Sequence, residues 1–189
     1  MNSERWQQVK QLLEEAIALD HDLLVTSGGV SMGEEDHVRN AVESQGAIDF
    51  WKLAIKPGHP IAFGRVHAEN HDAAFFGLPG NPVAVMVTFL RIVRPAILRL
   101  AGASPAAPLI FRVPADFAFK KNRERVEWIR AQLVPDAGGR LVARKHPKDG
   151  SGILTAIAES DGLVELVESV REVKPGDLVD FLPFSEVMG

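Results

Sequence analysis

Trp6, Val9, Leu12, Leu13, Ala16 and Ile17 recur at helical spacing with charged residues between them, which predicts an amphipathic helix over residues 3–19 with Ser3 as its N-cap. A short apolar run at 23–25 reads as a strand and empties into a glycine-rich loop. A helix follows from about residue 35 to 44 and stops before Gly46. Alternating residues at 48–56 predict a second strand. Pro57-Gly58-His59-Pro60 turns it into a third over 61–66, and a polar loop, 67–72, leads to a fourth ending in Phe75-Phe76-Gly77-Leu78. From 82 to 100 apolar residues wrap most of the way round a helix, the pattern of a segment buried in a core or an oligomer interface. Pro95 is expected to kink or break it.

Beyond Gly102-Ala103-Ser104-Pro105-Ala106-Ala107-Pro108 the texture changes. Short β-like runs at 109–113, 127–134, 140–144, 162–167 and 178–182 are separated by turns such as Pro135-Asp136-Ala137-Gly138-Gly139 and Lys174-Pro175-Gly176-Asp177. That spacing predicts a small barrel or sandwich, with one short helical stretch at 151–158. The chain thus reads as an α/β domain over 1–101, a linker over 102–108 and a β-domain over 109–189.

Composition narrows the field only a little. At 189 residues, 46% hydrophobic and 24% charged, the chain has ordinary globular proportions. A net charge of −4 gives no footing for nucleic acid. No apolar stretch approaches the roughly 18 residues that span a bilayer, and the polar amino terminus lacks the apolar core of a signal peptide. The expected compartment is therefore cytoplasmic. Without cysteine there is no disulfide, thiolate zinc site or cysteine nucleophile. His59, His67 and His71 are too scattered to read as a metal cluster, and His37 reads as an exposed residue early in a helix.

Candidate chemistry gathers in three loops between residues 25 and 82. In the first, Gly28, Gly29 and Gly33 allow close backbone approach to a ligand, and Ser27 and Ser31 offer hydroxyls. Asp36 falls near the start of the next helix, where a carboxylate either complements the helix dipole or holds Mg²⁺ against a substrate phosphate. In the second, strand alternation sends Lys52 and Lys56 to one face, about 13 Å apart if fully extended. Two ammonium groups there either snorkel to solvent at a sheet edge or face an anion. In the third, Pro79 and Gly80 force a turn, Asn81 is a good N-cap, and Pro82 suits the first helical position. Asp149-Gly150-Ser151-Gly152 reads as a further short surface turn, and Arg123, Arg125, Arg130, Arg144 and Lys145 make the most basic part of the chain.

Ser27-Gly28-Gly29-Val30-Ser31-Met32-Gly33-Glu34-Glu35-Asp36, Phe50-Trp51-Lys52-Leu53-Ala54-Ile55-Lys56-Pro57-Gly58 and Gly77-Leu78-Pro79-Gly80-Asn81-Pro82 together resemble the signature loops of molybdopterin molybdenumtransferases, the MoeA and gephyrin E-domain family. The resemblance implies a three-layer, MogA-like molybdopterin-binding sheet domain lacking its usual N-terminal strand, followed by a small β-barrel. It also implies insertion of molybdate into adenylylated molybdopterin with release of AMP, assisted by Mg²⁺. Asp36 would be the metal ligand and, with Lys52 and Lys56, catalytic. Ser27, Gly28, Gly29, Ser31, Gly33, Pro79, Gly80, Asn81, Pro82 and Ser151 would line the substrate site. The resemblance covers only the second half of a family member. The expected partners are accordingly a homodimer mate or a separate N-terminal half, and the alternative function is a non-catalytic molybdopterin-binding subunit.

Overall fold

A computed structural model describes residues 3–28, 37–50, 52–104, 106–147 and 155–188. The chain divides into two compact units, one of Met1–Leu53 with Gly58–Ser104, the other of Ala54–Pro57 with Pro105–Gly189. The second unit therefore claims a short piece of chain that contiguous boundaries would leave to the first.

The first unit begins with helix α1 (Ser3–Ala18), strand β1 (Leu23–Ser27), helix α2 (His37–Gln45) and strand β2 (Gly46–Phe50). The two-residue strand β3 (Ile55–Lys56) belongs to the second unit. Strands β4 (Ala62–His67) and β5 (Asp72–Leu78) complete a sheet of order β1-β5-β4-β2. β1 runs parallel to β5, and the other pairs are antiparallel. Alternation along β5 gives the sheet two apolar faces. Ala73 and Phe75 point into a core with Leu24, Ala62 and Val66, which Leu13 of α1 and Ala41 and Val42 of α2 close. Phe76 points the other way, its ring 4.9 Å from that of Phe63, which in turn stacks on Phe50 at 5.3 Å. β2 and β4 approach closely because Gly46 and Gly64 lack side chains; a Cβ at Gly64 would lie 2.2 Å from the Ala47 carbonyl oxygen.

Helix α3 (Pro82–Thr88) passes through a π-helical turn (Phe89–Val93) into α4 (Arg94–Leu100). The expected break at Pro95 is thus replaced by a widened turn just upstream. Proline lacks an N–H and crowds the preceding turn. Here the Arg94 amide bonds to the Phe89 carbonyl, and Pro95 enters α4 in its first turn.

The expected strand over 48–56 also divides. β2 ends at Phe50, Trp51 lies outside the described residues, and Lys52 to Ala54 leave the sheet. The physical reason is a second partner: Ile55 and Lys56 pair in parallel with Val126 and Glu127, and the Ala54 carbonyl accepts the Val126 amide at 3.0 Å.

The second unit adds β6 (Phe111–Pro114), β7 (Phe119–Lys120), β8 (Val126–Pro135), β9 (Leu141–Lys145), helix α5 (Thr155–Ala158), β10 (Gly162–Leu166), β11 (Glu172–Val173), β12 (Leu178–Pro183) and helix α6 (Ser185–Met188). One sheet runs β3-β8-β10-β12-β6, with β9 on β8; β7 and β11 form a separate pair. An Ala115–Ala143 bridge brings the end of β6 to β9, so the strands curl into a small barrel. Ile129, Ala131, Val164, Leu166, Val179 and Phe181 fill it. Asp136 builds the β8–β9 turn by accepting the amides of Gly138 and Arg140 at 2.8 and 2.9 Å. Among the described residues no helix is long and apolar enough to cross a membrane.

Candidate functional site

β1 and β5 are parallel neighbours, so their carboxyl ends open on the same edge of the sheet, with Ser27 opposite Leu78. In open α/β sheets this edge is where ligands sit. The Gly28 amide extends the pairing one step, donating to the Leu78 carbonyl at 2.9 Å. Gly28 has φ 81°, a conformation that side chains disfavour. Gly80 faces it across the junction, where a Cβ on Gly80 would sit 3.6 Å from the Gly28 Cα. Pro79 is buried and holds the turn, whereas Ser27, Gly80 and Pro82 are exposed. Asn81 caps α3, its side-chain oxygen accepting the amides of Val83 and Ala84 at 3.1 and 3.3 Å. Two sequence-predicted loops therefore meet in one place, beside a helix N-terminus whose partial positive charge favours anions.

The second loop is arranged differently from the expectation. Lys52 is exposed beyond the end of β2, and the loop after it is closed by the Leu53 amide to the His59 carbonyl at 3.2 Å and by His59 Nδ1 on the Leu53 carbonyl at 2.6 Å. Lys56 lies on β3 in the other unit, with its ammonium 3.5 Å from a carboxylate oxygen of Glu127. The two lysines do not share one strand face. Gly29, Ser31, Gly33, Asp36 and Ser151 lie outside the described residues.

Around Lys56 the fold assembles groups that the sequence reading passed over. Glu127 is only 2% exposed and accepts Arg125 Nε at 2.9 Å. Alternation along β8 carried the signal: Glu127 shares the inward stripe of Ile129 and Ala131, a position where a carboxylate must be paired. Lys121 is also buried, donating to the carbonyls of Val167 and Glu168 at 2.7 and 3.4 Å. Burial lowers its pKa from the ordinary lysine value, against the opposing pull of Glu127 and Glu168. In the first unit, Asp72 at the start of β5 accepts His67 Nδ1 at 2.7 Å. That hydrogen bond holds its carboxyl below the usual range against an opposing desolvation, with the charges of His67, Arg65 and His71 adding to it. Among the described residues no cluster of three or more His, Asp or Glu side chains could hold a metal on its own.

The α/β sheet with its paired loops, followed by a small barrel, defines a two-part class. Residues 4–99 match the model of a family described as a probable molybdopterin binding domain, and residues 112–184 match that of the MoeA C-terminal region, domain IV. The chain belongs to the MoeA family, the molybdopterin-binding domain coming first and the C-terminal domain second. It is 36% identical over 169 residues to a molybdopterin molybdenumtransferase of Haemophilus influenzae, covering 89% of this chain and 41% of that protein. It is 35% identical to the molybdenum cofactor synthesis protein cinnamon of Drosophila melanogaster, covering 87% of this chain and 27% of the relative. A crystal structure of the molybdopterin biosynthesis MoeA protein from Pyrococcus horikosii superposes with a TM-score of 0.72 at 27% identity, covering 93% of this chain and 40% of that one. The chain therefore spans about two fifths of the length of the Haemophilus relative and less of the Drosophila one. The expected family and its fold, a sheet domain followed by a barrel domain, both hold.

Proposed function

We propose that this chain handles molybdopterin in molybdenum cofactor biosynthesis, inserting molybdate into adenylylated molybdopterin with release of AMP. The observation that supports this reading is the junction of Ser27-Gly28 with Pro79-Gly80-Asn81 at the carboxyl ends of β1 and β5. Its open backbone and capped helix start suit a phosphorylated guest. Ser27, Gly28, Gly29, Ser31 and Gly33 would supply hydroxyls and close backbone approach, and Pro79 and Pro82 would shape the pocket wall. Lys52 and Lys56 would each place a fixed cation on the oxygens of the diphosphate or of molybdate.

Mg²⁺ typically takes one or two protein carboxylates and completes its shell with substrate phosphate and water. Asp36, which lies outside the described residues, would supply such a carboxylate. Bound there, the ion would neutralise charge on the phosphates. Pairing with a second copy through the apolar 82–100 segment, or with an N-terminal half, and a cytoplasmic setting complete the reading.

The test is AMP release from adenylylated molybdopterin in the presence of molybdate and Mg²⁺, with the chain alone and with an N-terminal half added. Release that Lys52→Ala or Lys56→Ala reduces by about ten-fold or more, with the fold retained, supports it. Full activity in both alanine variants would reduce the lysines to surface residues. A second reading is a binding subunit that holds the adduct without turning it over by itself. Adduct binding with no AMP until the N-terminal half is supplied would establish that reading instead.

A further inference from the structure

We infer that Glu127 is a positioning residue for Lys56, biasing its ammonium towards the rim of a small cavity so that it meets a phosphate or oxyanion partly ordered in advance. The inference rests on the role proposed above for Lys56.

The arrangement is specific. Parallel pairing puts Lys56 directly opposite Glu127, with Arg125 at the other carboxylate oxygen. The two cations are not equivalent. Arg125 is 20% exposed and makes the short, charge-assisted bond at 2.9 Å; Lys56 is 54% exposed and stands at 3.5 Å. Arg125 therefore accounts for most of what the buried carboxylate needs. Lys56 is tethered more loosely, and two of the three donors on its ammonium remain for another partner. Both Lys56 and Glu127 line a cavity of about 50 Å³ together with Arg130, Lys145 and His146. The tether thus lies beside a concavity that three further basic residues line.

A free lysine side chain loses much rotamer entropy when it is fixed. A carboxylate that fixes it before the ligand arrives removes part of that cost from binding. Glu127 would touch no ligand; it would act through Lys56 alone.

The test is a double-mutant cycle in the full chain, with inorganic pyrophosphate as the probe in titration calorimetry. Lys56→Ala should weaken binding by about ten-fold, the size of one charge-assisted contact. Glu127→Gln should weaken it by about three- to ten-fold in the parent and by nothing further in the Lys56→Ala background. An equal loss in both backgrounds means that Glu127 serves only the fold, and no loss in either means that it does nothing for the site; each overturns the inference. Reductive ¹³C-methylation of the lysines gives a second measurement that needs no ligand. With Lys56 assigned by Lys56→Arg, its signal should be less mobile than that of Lys52 in the parent and should sharpen in Glu127→Gln. Should Glu127→Gln fail to fold, the parent comparison decides, and equal mobility of the two lysines overturns the tether. Should the parent bind no pyrophosphate, the reading of Lys56 as a ligand group falls, while the lysine signals still decide whether Glu127 holds it.

Discussion

Gly28 and Gly80 lie face to face where β1 and β5 end, close enough that a Cβ on either would come within 3.9 Å of the other's backbone. The two positions nevertheless differ in kind. Gly28 needs no side chain because of its backbone, with φ 81°; Gly80 has no such requirement and meets only an ordinary contact. Gly28→Ala should destabilise the chain by about 1–2 kcal/mol, the cost of a left-handed residue with a Cβ. Gly80→Ala should stay within about 0.5 kcal/mol of the parent while narrowing the mouth of the proposed site. Urea unfolding and adduct titration of both variants separate the two effects, and equal destabilisation would contradict the assignment.

Asn81 caps α3 through its side-chain oxygen. Asn81→Ala should cost about 1 kcal/mol, read as a lower urea midpoint with the slope unchanged. Asn81→Asp keeps the acceptor and adds a negative charge that a helix start tolerates well. It should leave stability intact yet repel an anionic guest. A variant that weakens adduct binding without lowering the midpoint would place the anion at this helix.

Lys121 gives a dependence at alkaline pH. Its folded pKa is lowered from 10.5 by burial, so between the folded value and 10.5 the unfolded chain binds more protons, and stability rises with pH there. The cost of burying the charge is felt in full below the folded value and has gone above 10.5. The unfolding free energy of the parent minus that of Lys121→Met should therefore grow as pH climbs towards 10.5. The chain has no tyrosine to confuse that window. A flat difference would contradict the shift.

Asp72 gives the opposite limb. Its carboxyl is held below 3.8 chiefly by the His67 hydrogen bond. Its contribution is present above 3.8 and is lost as pH falls through the lower folded value. The stability difference between the parent and Asp72→Asn should shrink as pH falls below about 4. Acid titrations of the two proteins, followed by circular dichroism, check this.

Much of this architecture could be read from residue pattern alone. The period of α1 through Val9, Leu13 and Ala16, the alternation along β8, and the Asn81-Pro82 helix start are local signals, and each element formed where its residues point. What could not be read depends on partners distant in sequence. Alternation through residues 50–56 has no means of showing that Ile55 and Lys56 answer to Val126 and Glu127. β7 and β11 have two residues each and exist only because they pair with one another. Pro95 looks like a break, and only the hydrogen bond from Arg94 to Phe89 reveals the widened turn that accommodates it. Asp36, central to the proposed chemistry, lies outside the described residues.

The segment Ala54–Pro57 has a practical meaning for dissection of the gene. Because Ile55 is buried and paired to β8, a piece cut at the 102–108 linker would leave Val126 and Glu127 with an unmatched edge and Glu127 without Lys56. The second unit is not a module that can be excised or swapped by one break; a transplant has to carry four residues from inside the first. Recombination between relatives should therefore favour exchanging both units as one block.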